Sequence, residues 1–93
     1  MAGNRRRSRE SDLLFQLMAA KGWSAEEVQR RSLPAGNPTR EVSARTIYRV
    51  LNNNHVPSVP VQYEIAQTFG LTPNHIWGRA ALPAEVEALG VVA

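Results

Sequence analysis

Arg45, Tyr48, Arg49 and Asn52 recur at i, i+3, i+4 and i+7 in the segment VSARTIYRVLNN. On a helix that spacing lines them along one strip, while Ile47, Val50 and Leu51 gather on the other side. The second group is an ordinary core stripe. The first holds two guanidiniums, a phenol and an amide out to solvent. A guanidinium is a planar fork that matches phosphate oxygens and the O6/N7 edge of guanine. One bidentate bond of the latter kind is worth ~1–3 kcal/mol of discrimination between bases. A phenol donates to phosphate or packs on a thymine methyl, and Asn52 and Asn53 can donate to phosphate without adding charge. Taken alone, the same residues also describe a plain solvated helix face.

The wider charge pattern bears on that choice. Of the eleven Lys and Arg, which face eight Asp and Glu for a net charge of +3, all but Lys21 are arginine. Arg5, Arg6, Arg7 and Arg9 crowd the N-terminus, Arg40, Arg45 and Arg49 surround the strip, and after Arg79 the only charges are Glu85 and Glu87. A basic first half with an acidic end suits a polyanionic partner on one face. On charge alone, surface arginines that merely confer solubility account for the pattern equally well.

The strip must be positioned by helices, and their starts and stops are written locally. Residues 1–10 lack an apolar pattern and read as a flexible basic arm. A helix follows from Ser8 or Ser11, with Leu13, Leu14, Leu17 and Met18 on its apolar stripe and Gly22 as its cap. Ser24 and Glu27 have capping-box spacing, and Trp23 and Val28 fit a hydrophobic staple, so a second helix runs to about Ser32. The segment LPAGNPTRE, with two prolines, a glycine and an asparagine close together, is a loop. Ser43 caps a third helix, with Val42 and Ile47 in staple positions and NNNH closing it. Ser58, Pro60 and Gly70 bound a fourth. Thr72, Pro73 and Gly78 bound a short fifth, stapled by Leu71 and Ile76. A weak last helix is expected over 83–89. The expectation is one compact all-α domain of five short helices over 11–78, with a tail over 79–93.

Here the sequence resembles a known family. KGWSAEEV, then VSARTIYRVLNNNHVPS, then IAQTFGLTPNHIW look like the lambda-repressor-like helix-turn-helix family that includes phage Cro and repressor proteins. The likeness covers roughly residues 11 to 77. It rests on the glycine-aromatic-serine entry to the second helix, the opening of the third, the Pro-Ser start of the fourth and the Gly-Leu-Thr-Pro step into the fifth. It implies that Ser43 caps the recognition helix, that Ala44, Arg45, Tyr48 and Arg49 reach bases or phosphates, that Thr46 and Ile47 form its inward-turning start, and that Asn52 to Asn54 form a turn touching the DNA backbone. There are two departures. Ala25 stands where the family often has a glutamine that grips phosphate and braces the recognition helix, so the second helix is expected to contribute less. The turn between the second and third helices is stretched over Leu33 to Glu41, which costs little closure entropy but leaves the angle between them open.

The resemblance implies a sequence-specific regulator that occupies a double-stranded DNA operator, with residues 43–52 in the major groove. One such helix reads few base pairs, so two copies on a two-fold operator are expected. The free amides and positive dipole end of the third helix would add anion binding. Thr39 and Arg40 would add backbone contacts, and Arg5, Arg6 and Arg7 would follow phosphates or enter the minor groove. Deleting residues 1–9 is expected to spare the fold. The resemblance also implies a bacterial or phage-infected cell. The absence of cysteine, of a signal-peptide pattern and of an apolar run near ~20 residues suggests a cytoplasmic protein with no membrane role.

An enzyme is not expected. There is a single aspartate, no paired carboxylates, no nucleophile motif and no glycine loop for a nucleotide. His55 and His75 are too isolated to hold a metal. Trp23 and Trp77 read as core or staple residues. No cofactor or small-molecule ligand is evident. The competing reading is a protein-interaction module, such as an antitoxin or a transcription-machinery adaptor, using Val86, Leu89, Val91 and Val92. Those same residues would serve a second copy of the chain, or fold back to finish a small core.

Overall fold

Ser8 opens the first helix. Its hydroxyl oxygen accepts from the Ser11 amide at 3.1 Å, and helix α1 runs Arg9–Lys21 in a computed structural model that describes residues 7–32 and 42–91. Of the two candidate caps, the structure therefore uses Ser8. The expected arm over 1–10 gives way accordingly, because Arg9 and Glu10 already belong to the helix. At the other end, Gly22 takes φ 70°, the Trp23 amide donates to Met18 O at 3.0 Å and the Gly22 amide to Ala19 O at 3.2 Å. This paired closure satisfies carbonyls that the helix end would leave open, and glycine carries the left-handed turn without a Cβ clash.

Helix α2 (Ala25–Ser32) starts as expected, with the Glu27 amide donating to Ser24 Oγ at 3.2 Å. The reciprocal half of the capping box is absent. Glu27 turns its carboxylate to Arg30 and Arg31 instead, because cations three and four residues on lie on its own face of the helix. Val28 is fully buried. Trp23 packs on Phe69 with ring centroids 5.3 Å apart, beneath the Arg31 guanidinium at 4.4 Å.

Helix α3 (Ala44–Asn53) is capped by Ser43 Oγ, which accepts from the Thr46 amide at 3.2 Å; Val42 and Ile47 are both buried. It stops at Asn54, held at φ 53°. Helix α4 (Val59–Thr68) follows Ser58, whose side chain makes no cap bond, and ends before Gly70 at φ 72°. Helix α5 (Pro73–Ile76) is closed at its start by the Thr72 amide donating to His75 Nδ1 at 3.0 Å. Helix α6 (Ala84–Glu87) is shorter than the expected 83–89.

These six helices, with no strand among the described residues, pack as α2 on α3 and α4, α4 on α5, and α1 on α3 and α5. One cluster forms the centre. Leu13, Leu14, Leu17, Val28, Ile47, Val50, Ile65 and Ile76 are almost wholly removed from water. The tail joins it, since Leu82, Val86 and Val91 are buried too. Trp23 and Trp77 lie half-buried against the same cluster. No helix among the described residues is long and apolar enough to cross a membrane.

Candidate functional site

Helix α3 divides as its spacing demands. Ile47, Val50 and Leu51 are buried, while Arg45, Tyr48, Arg49, Asn52 and Asn53 are exposed. Ser43, Ala44 and Thr46 are half-buried at its start. The inward stripe packs against α1 and α2, so the outward strip is carried on a helix anchored in the core. Neither Arg45 nor Arg49 has an ion-pair partner among the described residues. Both guanidiniums stay hydrated and accessible.

The first turn of α3 offers less than expected. The Ala44 amide donates to Gln29 Oε1 at 2.7 Å and the Thr46 amide to Ser43 Oγ, so two of the three first-turn donors are already satisfied within the protein. Of these three amides, that of Arg45 alone has no partner among the described residues. Periodicity and capping do not single out Gln29, although one signal points to it. It stands four residues after Ala25 and so shares its helix face. Ala25 is buried as plain packing, and the bracing of α3 passes to the glutamine one turn later. Helix α2 therefore contributes through a different residue.

The second unanticipated residue is Glu26. The Tyr48 hydroxyl lies 3.3 Å from each of its carboxylate oxygens, and both side chains are exposed. The negative charge of Glu26, followed by partial burial and the hydrogen bond itself, raises the Tyr48 pKa above the ordinary phenol value. The phenol therefore remains a protonated donor at neutral pH. Glu26 adds a carboxylate to a strip that otherwise carries only cations and neutral groups. Glu27 next to it differs: hydrogen bonding from Arg30, reinforced by Arg31 against some burial, lowers its pKa.

At the far end of α3, the Leu51 carbonyl accepts from Ser11 Oγ at 2.9 Å and from Arg7 Nε at 3.3 Å. The Ser8 amide donates to Asn54 Oδ1 at 2.9 Å. Arg7 also lies over the Phe15 ring at 4.3 Å, and Arg9 donates to the carbonyls of Ile76 and Gly78. Arg7 and Asn54, both expected at the polyanion, are thus engaged within the protein. For Arg7 the reason is that helix carbonyls near a C-terminus lack amide partners and take any donor within reach, and for Asn54 it is that the Ser8 amide, at the start of α1, has no helical carbonyl to donate to. The structure brings Arg45, Tyr48, Arg49, Asn52 and Asn53 onto the exposed side of α3, with Ser43, Ala44 and Thr46 half-buried at its start and the root of the N-terminal segment at its far end. Thr39, Arg40, Arg5 and Arg6 lie outside the described residues.

A separate apolar surface lies where α1 meets the tail. Phe15 and Leu89 are 43% and 47% exposed, and Leu89 stands between two shallow grooves, one lined by Phe15, Ala19 and Ala20 and the other by Leu17, Lys21 and Phe69. No family model, curated protein or solved structure matches the chain.

Proposed function

We propose that this protein is a sequence-specific double-stranded DNA-binding regulator of the lambda-repressor-like helix-turn-helix type, with α3 as its recognition helix. The observation that carries this reading is the strip itself. Two exposed arginines without ion-pair partners among the described residues, a phenol and two asparagines stand on a helix whose other side is locked into the core. A rigid helix is the right width for the major groove. Arg45 or Arg49 would take a guanine edge by two parallel hydrogen bonds, and Asn52 and Asn53 would donate to flanking phosphates. Gln29 and Ser43 hold the leading end of α3, so the forks approach the bases from a fixed register. Arg5, Arg6, Thr39 and Arg40 add phosphate contacts in this reading.

Two copies would occupy a two-fold operator, because one helix contacts too few base pairs to find a site among many competitors. Occupancy would then block or redirect RNA polymerase in the cytoplasm of a bacterial or phage-infected cell. Selection of bound duplexes from a random pool, followed by gel shifts at several salt concentrations, tests the reading. Enrichment of a motif with half-site symmetry is expected. Binding that stays uniform across sequences would end it.

The exposed pair Phe15 and Leu89 favours one second reading, a protein-interaction module such as an antitoxin or transcription-machinery adaptor. In that case the α1–tail surface, and not α3, would be the part sensitive to substitution.

A further inference from the structure

We infer that Glu26 is a base-reading residue of this interface, accepting a hydrogen bond from the exocyclic amino group of a cytosine, with Tyr48 as its positioning residue. The inference rests on the reading of α3 as the groove helix and adds α2 to the reading surface.

Placement comes first. The Glu26 carboxylate meets the Tyr48 hydroxyl at 3.3 Å through either oxygen, and Tyr48 belongs to the strip with Arg45 and Arg49. The carboxylate therefore faces whatever α3 faces. Charge comes second. Glu27 is neutralised by two arginines, but Glu26 has no cationic partner among the described residues. A bare carboxylate repels phosphate, so this corner of the surface is unsuited to the DNA backbone. It suits a donor.

Chemistry then selects the donor. An ionised carboxylate accepts hydrogen bonds and donates none, and Tyr48 occupies only part of its lone-pair capacity. In the major groove, amino donors are offered by cytosine N4 and adenine N6. Adenine sets its N7 acceptor beside N6, which repels a carboxylate and suits an amide. Cytosine presents N4 with no acceptor beside it. The guanine paired with that cytosine offers O6 and N7 to an arginine, so Glu26 and one of the strip arginines can read the two halves of a single pair. Tyr48 positions the carboxylate through the hydrogen bond from its hydroxyl.

Random-pool selection with the wild type, Glu26→Gln and Tyr48→Phe, each checked by thermal melting, tests this. The wild-type motif should contain a cytosine position at which Glu26→Gln loses about tenfold in discrimination and shifts toward adenine, while other positions hold. Affinity for unrelated duplexes should rise, because a repulsive charge is gone. Tyr48→Phe should blur the same position to a smaller degree. If the wild type yields a motif and Glu26→Gln yields the same motif with unchanged relative affinities, Glu26 is only a strut between α2 and α3, and the inference fails while the groove reading stands. A loss spread evenly over all positions also overturns it. If the wild type enriches no motif, the groove reading itself fails and takes this inference with it.

Discussion

Arg45 and Arg49 differ from Arg7, Arg9, Arg30 and Arg31 in having no side-chain partner among the described residues. Arg30 and Arg31 are tied to Glu27, Arg7 to Leu51 O and the Phe15 ring, and Arg9 to the carbonyls of Ile76 and Gly78. A cation that is already paired must lose one partner to gain another, whereas a hydrated one on a rigid helix exchanges only water. Arg45→Ala and Arg49→Ala should each weaken specific binding. At least one should relax preference at a single base position, by ~1–3 kcal/mol of discrimination. Gel shifts against the selected site and its single-base variants measure this. If both variants keep wild-type affinity and preference, the strip is a solvated face. Neither change should alter thermal stability by more than ~0.5 kcal/mol, since both side chains are exposed and have no ion-pair partner among the described residues.

The helices hold each other in good part by their ends. Gln29 on α2 caps the leading amide of α3, and Ser8, Ser11 and Arg7 close its trailing end. Gln29→Ala should cost about 1 kcal/mol, read from a urea denaturation midpoint, and it should weaken DNA binding although Gln29 need not touch DNA. Within α2, the folded-state pKa of Glu27 lies below its ordinary value, first because of the hydrogen bond from Arg30. Its stabilising effect is thus present above the ordinary carboxylate range and disappears as pH falls through the lowered value. Melting the wild type beside Glu27→Gln should show the wild type ahead at neutral pH and the gap closing as pH falls below the ordinary carboxylate range. A gap that stays constant would mean the ion pairs add nothing. The N-terminal segment calls for a more careful cut than residues 1–9, because that deletion would remove the Ser8 cap and the Arg9 bonds. Removing residues 1–6 should leave the melting temperature unchanged. It should also flatten the plot of log affinity against log salt by ~0.9 for each phosphate no longer neutralised. An unchanged slope would show that Arg5 and Arg6 stay away from DNA.

A chain of 93 residues has little core to spare, and the tail supplies part of it. Leu82, Val86 and Val91 are buried, so their contribution to a second copy is limited to holding Leu89 in position. Leu82→Ala should cost about 2–5 kcal/mol as a buried leucine truncation. That is a large share of the ~5–15 kcal/mol typical of a small domain. Truncation after Trp77 should therefore lower the melting temperature of the monomer sharply. Leu89→Ser should leave it nearly unchanged and, if the α1–tail surface joins copies on an operator, reduce cooperativity there. Thermal melts and operator titrations of the two variants separate core packing from association.

What the sequence determined by itself was local. Serine or threonine before an apolar period, with glycine or asparagine after it, placed the helices because capping and chain reversal involve neighbours within four residues. The exposed strip followed from the same arithmetic, since a helix of known start has only one face for Arg45, Tyr48 and Arg49 once Ile47, Val50 and Leu51 take the other. Residues far apart in the chain were decided by the tertiary structure alone. Ser8 and Ser11 are equal as caps by spacing, and the Ser11 hydroxyl is committed to the Leu51 carbonyl, forty positions away in the chain. Arg7 has the composition of an arm, yet the open end of α3 claims its guanidinium. Glu26 and Gln29 have the spacing of ordinary helix surface, and only the packing of α2 across α3 sets one against Tyr48 and the other against Ala44. Spacing along one helix fixes which groups share a face, but which other helix's groups meet them depends on how the loops and the common core dock the elements.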